Sequence, residues 1–282
     1  MKILVTGGNG FIGSNLIRRL TKDGHEVVSI DDLTNGSENN EVREALYLYE
    51  DIEKVSYFEG TEVDVVFHLA ALSRIQPSFK YPSEFFRVNT KGTEIVADWA
   101  SQYGVKMIYA GSSSVHQNPL SSPYATYKGL GENIVQMYKT VYGLDAHIAR
   151  FYNVYGPLEK EDGEFASLVG KWYGNVKNKE NITIVGDGKQ TRDFTHVDDV
   201  VEGLIKIMNY GKLDNNVWEL GTGFPYSVEE VADMFIEKYN CKAEYIDDQH
   251  GNYKESYRID NKAIELLDWT PSDRLREYIK GL

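Results

Sequence analysis

The chain has 282 residues, enough to bury a large core in one domain or in two that share a cleft. Its 43 acidic side chains against 30 lysines and arginines give a net charge of −13, which argues against nucleic acid or an anionic membrane as a partner. With Cys241 as the sole cysteine, no long apolar run and a strand at the very start, no internal disulfide, membrane span or leader is expected, and the setting reads as cytoplasmic.

The first apolar run, Lys2–Thr6, leads straight into Gly7, Gly10 and Gly13, followed by an amphipathic stretch over 14–21. Glycine at 7 permits a sharp turn off the strand, Gly10 lets backbone approach a pyrophosphate, and Gly13 lets the helix pack close to the sheet. The pyrophosphate then sits at the positive helix N-terminus. Asp31 ends the next apolar run, Glu26–Ile30, where a carboxylate accepts from the adenosine ribose and repels the extra phosphate of NADP. The expected cofactor is therefore NAD.

Further apolar runs at 63–69, 106–110 and 145–151 read as buried strands, and stretches at 41–48, 90–102 and 124–142 as amphipathic helices. This alternation predicts an α/β fold, a doubly wound parallel sheet of the Rossmann kind. Residues 1–156 form the expected cofactor domain, with 187–215 returning to it, including a strand and helix between 193 and 209. The ranges 157–186 and 216–282 form a smaller α/β C-terminal substrate domain. A substrate is expected in the shared crevice at the carboxyl ends of the strands.

Tyr124 and Lys128 lie four residues apart, on one face of a helix. A free tyrosine has a pKa of about 10, so acting as a base near neutrality needs about 4 kcal/mol of phenolate stabilisation. A neighbouring lysine and a positive nicotinamide ring are the expected sources. In a chain with 20 tyrosines an isolated Tyr-x-x-x-Lys is an ordinary surface pattern. What singles this one out is the preceding strand, which ends in Ser112, Ser113 and Ser114 at the ligand-binding edge. Serines also form turns, but hydroxyls there can donate to a substrate oxygen and relay its proton.

Taken together, Thr6-Gly-Gly-Asn-Gly-Phe-Ile-Gly13, Asp31-Asp-Leu-Thr-Asn-Gly36, His68-Leu-Ala-Ala71, Asn89-Thr-Lys-Gly-Thr93, Tyr124-x-x-x-Lys128, Arg150-Phe-Tyr-Asn-Val-Tyr-Gly-Pro157 and Gly186-Asp-Gly-Lys-Gln-Thr-Arg-Asp-Phe194 resemble, in order and over nearly the whole chain, the extended short-chain dehydrogenase/reductase family. Within it the similarity is to the nucleoside-diphosphate-sugar epimerases. That resemblance implies Tyr124 as base and acid, Lys128 as its electrostatic partner and ribose ligand, and Ser112, with Ser113 sharing, as the hydroxyl on the sugar oxygen. It implies cofactor contacts from Phe11 and Ile12 in the turn, Asp32 and Asn35 beside the ribose, and Asp51 and Ile52 at the adenine. Leu69, Ala70 and Ala71 would line the cofactor, with Asn89 near the nicotinamide side and Tyr152 among the cofactor contacts. Asn153 and Arg192 would meet the sugar nucleotide, an arginine fork suiting a diphosphate. Taken alone, Arg192 equally reads as a surface charge or a partner of Asp187 or Asp193.

The chain departs from the pattern in three ways. After the serines it carries Val115-His116-Gln117, and His116 reads either as substrate-facing or as structural. Gln249-His-Gly-Asn252 stands where relatives carry a diphosphate-binding arginine, leaving Lys254 or Arg258 as replacements. The C-terminal part also looks short. Ser113 and Ser114 stand where 4,6-dehydratases carry an acidic pair, which such an elimination requires. The implied reaction is epimerisation at carbon 4 of a UDP-hexose of the UDP-glucose/UDP-galactose type, through a 4-keto intermediate, by a homodimer paired through the helices at 90–102 and 124–142. A net reductase or dehydrogenase of the same family is the alternative, and a non-catalytic cofactor-binding sensor the competing class.

Overall fold

The computed structural model describes residues 1–58, 62–212, 214 and 217–282. Strands β1 (Lys2–Thr6), β2 (Glu26–Ile30), β3 (Ala45–Leu48), β4 (Val65–His68), β5 (Lys106–Ser112) and β6 (Ala146–Phe151) lie in one parallel sheet. Shorter strands follow: β7 (Val154–Tyr155), β8 (Ile182–Val185), β9 (Thr191–Asp193), β10 (Thr195–His196), β11 (Val217–Leu220), β12 (Pro225–Ser227), β13 (Ala243–Ile246) and β14 (Glu255–Ser256). Of these, β11 joins the large sheet beside β6, giving the order β11-β6-β5-β4-β1-β2-β3 among the described residues. The chain therefore reverses direction across the sheet between β1 and β4, and the crevice beyond their carboxyl ends is the switch point where α/β sheets bind ligands.

The stretch 41–48, expected as a helix, contains β3, which pairs in register with β2 from Val27↔Ala45 to Ile30↔Leu48. Ala45-Leu-Tyr-Leu48 is a short apolar run rich in residues a strand accepts, and the free edge of β2 paired with it. The strand expected after 193 also differs. Both β9 and β10 pair in small sheets, with β12, β14 and β7, and not in the large one.

Helices α1 (Phe11–Lys22), α2 (Ile75–Lys80), α3 (Pro82–Phe86), α4 (Gly92–Tyr103), α5 (Pro123–Tyr142), α6 (Leu168–Lys177), α7 (Val197–Met208), α8 (Val228–Tyr239), α9 (Lys262–Leu267) and α10 (Leu275–Gly281) complete the order. On one face of the sheet Leu16, Ile17 and Leu20 of α1 pack with Val200, Leu204 and Ile207 of α7 against Ile3 and Val5. On the other, Val96 and Trp99 of α4 and Val135 and Tyr138 of α5 pack against Leu4, Val66 and Met107. Each such side chain contributes roughly 1.5–3 kcal/mol on burial, so both faces are sealed and only the sheet's end is open to ligands.

A third core joins Trp172 of α6, Ile182 and Ile184 of β8, Phe235 of α8 and Ile279 of α10. The range 216–282, expected to belong to this smaller part, is divided between the two. Trp218 and Leu220 of β11, with Ala263, Leu267 and Trp269 near the C-terminus, sit in the α1–α7 core. The expected boundary at 215/216 itself falls outside the described residues.

Candidate active site

The cleft opens at the carboxyl ends of β1, β4, β5 and β6, has a volume of about 690 Å³, and runs from the glycine turn to the loops of the smaller part. At one end Gly7 adopts φ +72, and a Cβ there would stand 2.7 Å from the Ala70 nitrogen on the β4 loop. A Cβ on Gly13 would lie 2.2 Å from the Gly7 carbonyl oxygen, so the helix cannot start here with any side chain at that position. Gly10 is different. Its Cβ would meet only the Gly7 carbonyl, at 3.3 Å, leaving the cleft side clear for a ligand. No side chain caps α1, and its first N–H groups face outward with Phe11 and Ile12 on the cleft wall.

Asp31 is buried at this end, its carboxylate accepting from the Asn9 N–H at 3.0 Å and the Leu33 N–H at 2.9 Å. Burial pushes its pKa up, and those backbone donors oppose the rise. Asp32 and Asn35 share the wall, and the buried Asn35 Oδ1 has no protein partner, an orphaned acceptor that a ligand hydroxyl or amine would satisfy. Leu69, Ala70, Ala71 and Ile52 complete the apolar lining. The open Gly10 face, the uncapped helix and the orphaned Asn35 fit a dinucleotide such as NAD, held through Asp31 at its ribose.

In the middle of the cleft, β5 ends at Ser112 and α5 begins under a Ser122 cap, whose Oγ accepts from the Ala125 N–H at 3.2 Å, with Pro123 in the first turn. That start places Tyr124 opposite the strand end, its hydroxyl 3.3 Å from Ser112 Oγ. One turn on, Lys128 is buried, donates to the Ala110 carbonyl at 2.7 Å and lies over the Tyr109 ring. Burial pushes the Lys128 ammonium down to about 8. Burial also pushes the Tyr124 phenol up, opposed by the Ser112 hydrogen bond and by Arg74. Arg74 is thus a cation near Tyr124 in addition to Lys128 one turn along α5. Ser113 lies on the wall and meets Ser256 at 3.3 Å.

At the far end Asn153 and Arg192 line the cleft. Asn153 donates to the Asp193 carbonyl at 3.1 Å. Arg192 donates to Asn252 Oδ1 at 2.9 Å and stacks 4.0 Å from the Tyr253 ring centroid, pairing with neither Asp187 nor Asp193. Gln249 and Asn252 of the departing segment line the cleft beside Arg192, whereas Lys254 and Arg258 do not.

Four expected contacts lie off the cleft wall. Arg258 donates to the Gly221 carbonyl at 3.2 Å, its own N–H being tied to the Asp193 carboxylate at 3.1 Å. The carboxylate of Asp51 pairs with Arg87 at 2.7 Å, leaving Glu50 and Ile52 to face the cleft. Asn89 is buried, its amide nitrogen donating to the Leu72 carbonyl and its amide oxygen accepting from the Leu72 N–H, both at 2.8 Å, which clamps the loop carrying Ala70 and Ala71. Tyr152 is fully buried with its hydroxyl on Glu219 at 2.5 Å. The same Glu219 takes His116 Nε2 at 3.0 Å and Arg150 at 2.9 Å, so His116 is structural. Burial opposes the Glu219 carboxylate, but His116, Tyr152 and Arg150 together hold it below the usual range.

The sequence did not single out Arg74, Glu159, Phe165 or Tyr253, which also line the cleft. No motif marks them. For Arg74 one local signal is visible only in the backbone, a φ of +81 on a non-glycine residue. Burial pushes Glu159 up to about 7.

The sequence profile of the NAD dependent epimerase/dehydratase family matches residues 3–221. The UDP-glucose 4-epimerase of Mycolicibacterium smegmatis is 33% identical over 99% of this chain and 96% of its own length. The UDP-glucose 4-epimerase of Thermotoga maritima, solved with UDP-glucose, superposes with a TM-score of 0.92 at 31% identity, over 99% and 96% of the two chains. The UDP-glucuronic acid 4-epimerase of Bacillus cereus, solved with UDP-glucuronic acid and NAD, gives 0.90 at 26% identity, over 99% and 97%. With its glycine turn, its Asp31 and its Ser112–Tyr124 pair on one seven-stranded parallel sheet, the chain belongs to the NAD-dependent epimerase/dehydratase family.

Proposed function

We propose that the protein epimerises a UDP-sugar at carbon 4 of its hexose. The observation that carries this reading is the Tyr124 hydroxyl 3.3 Å from Ser112 Oγ, with Ser113 and Ser114, not acids, following the serine. Tyr124 takes the proton of the sugar hydroxyl, Ser112 holds that oxygen and bridges the transfer, and Lys128 holds the cofactor ribose beside them. NAD, when bound, supplies the hydride acceptor and returns the hydride, so the net reaction is an isomerisation. The glycine turn with Phe11 and Ile12, Asp31, Asp32, Asn35 and Ile52 hold the adenosine side, and Leu69, Ala70 and Ala71 shield the nicotinamide side. Arg192 and Asn153 grip the diphosphate and leave the hexose free to turn. With no acid beside Ser112 to run an elimination, the site is not suited to 4,6-dehydration.

The protein acts in the cytoplasm as a homodimer paired through α4 and α5, with Leu130, Met137, Val141 and Tyr142 exposed on α5 and Tyr103 on α4. Light scattering on Met137→Glu checks the pairing, a monomer being the expected result. The reaction is tested by incubating purified protein with UDP-galactose, adding no cofactor, and following the sugar by proton NMR. Appearance of UDP-glucose supports 4-epimerisation with retained NAD. Net oxidation or reduction that requires added cofactor would replace it with a dehydrogenase or reductase.

A further inference from the structure

Arg74 follows the β4 loop and lines the cleft on the same side as Tyr124. Its backbone sits at φ +81 and ψ 144, a region that non-glycine residues occupy at a cost of about 1–3 kcal/mol and that collects at ligand sites. Among the described residues its guanidinium has one hydrogen-bond acceptor, the Phe165 carbonyl at 3.2 Å from Nε, and no carboxylate within ion-pair distance. The two terminal nitrogens are therefore left for a ligand. Phe165 in turn stacks on Phe85, and Phe85 packs edge-on against Tyr124, so the arginine is tied by one aromatic cluster to the reacting hydroxyl.

A half-buried guanidinium without a counter-ion is costly to hold, and burial pushes Arg74 down from its ordinary range. The acid nearest to neutralising it, Glu159, is turned to Ser167 and to the Gly156 N–H, and is itself pushed up to about 7. Lys128 adds a second cation, itself buried, along α5. In a chain carrying 13 negative charges in excess, the middle of the cleft is thus short of negative charge, and the missing anion arrives with the substrate. Arg192, stacked on Tyr253, already serves the diphosphate in the reading above. A planar fork with both terminal nitrogens free matches a carboxylate in two-point contact.

We propose that Arg74 recognises a carboxylate on the hexose ring, so that the nucleotide sugar taken by this cleft is a hexuronate. This assignment builds on the epimerase reading for its turnover but not for its binding. The test is calorimetric titration of the full chain with UDP, UDP-glucose and UDP-glucuronate, beside NMR turnover of both sugars, for the wild type, Arg74→Gln and Arg74→Lys. The expected wild type binds UDP-glucuronate at least tenfold more tightly than UDP-glucose. Arg74→Gln abolishes that ratio, and Arg74→Lys, which keeps the charge but loses the fork, restores part of it. A wild-type ratio near one overturns the proposal whatever the variants do. So does a ratio that survives Arg74→Gln, or an equal loss of UDP binding, which would put the arginine on the diphosphate. An equal fall in turnover of both sugars with an unchanged binding ratio assigns Arg74 to Tyr124 instead. If neither sugar is epimerised but the Arg74-dependent ratio is present, the epimerase reading fails and the carboxylate site stands.

Discussion

At the cofactor end of the cleft the ligand-facing groups lie in short runs at strand ends: the glycine turn after β1, Asp31, Asp32 and Asn35 after β2, and Leu69, Ala70 and Ala71 after β4, with Ile52 beside them. At the sugar end they come from five separate segments: the β4 loop with Arg74, Asn153 after β6, the 159–167 loop, Arg192 on β9, and residues 249–253. The first end is built from backbone, with glycines set by approaches of 2.2 and 2.7 Å that no side chain survives. The second is built from long polar side chains whose neighbours are assembled by the fold. Backbone sites tolerate little change and serve one ligand; side-chain sites can be re-specified residue by residue.

Tyr124→Phe is expected to give the largest effect, since both ends converge on that hydroxyl: turnover falls about 10³-fold while NAD recovered from denatured protein stays stoichiometric. Loss of NAD together with turnover would mean that the two ends are not separable. Gly13→Ala attacks the backbone end, forcing a methyl against the Gly7 carbonyl, and should cost about 3 kcal/mol and empty the cofactor site. Thermal melts and absorbance of released NAD report both, and a stable NAD-bound variant would refute the backbone account.

Lys128 sharpens the comparison through pH. Its folded pKa, about 8, lies below the unfolded value of 10.5, so folding favours the neutral amine. Stability of the apo protein should therefore be flat below pH 8 and rise as pH climbs from 8 toward 10.5, by about 3 kcal/mol in all. Urea unfolding of Lys128→Met should lack this slope, and an identical slope in the variant would show that the ammonium is not desolvated. The smallest effects belong to the side-chain end. Arg192→Ala should raise KM for the nucleotide sugar about 30-fold, roughly 2 kcal/mol, while Arg258→Ala, whose guanidinium donates to the Gly221 carbonyl off the cleft wall, should change it less than about threefold. Equal effects in steady-state kinetics would put Arg258 on the substrate.

The same division governs how much of the molecule could be read beforehand. The glycine turn, Asp31, the serines and the Tyr124–Lys128 pair are local patterns, and the structure brings all of them to one cleft. Asp51, Asn89 and Tyr152 were expected there and instead hold Arg87, Leu72 and Glu219, because a motif records that a residue type is needed and not whether it serves ligand or scaffold. The stretch 41–48 reads as a helix by its spacing, but its short apolar end pairs with β2, a contact that only a partner strand supplies.

By itself, the sequence determined the parallel α/β architecture through the alternation of its apolar runs, and the dinucleotide turn and the Ser112, Tyr124 and Lys128 grouping through spacings within single strand–turn–helix units. Only the tertiary structure decided that Trp218, Ala263 and Trp269 return to the first core, and that Arg258 turns away from the cleft while Arg192 faces it. It alone left Arg74 facing the cleft without a counter-ion. These depend on which distant segments meet, and burial, ion pairing and strain exist only once they have met.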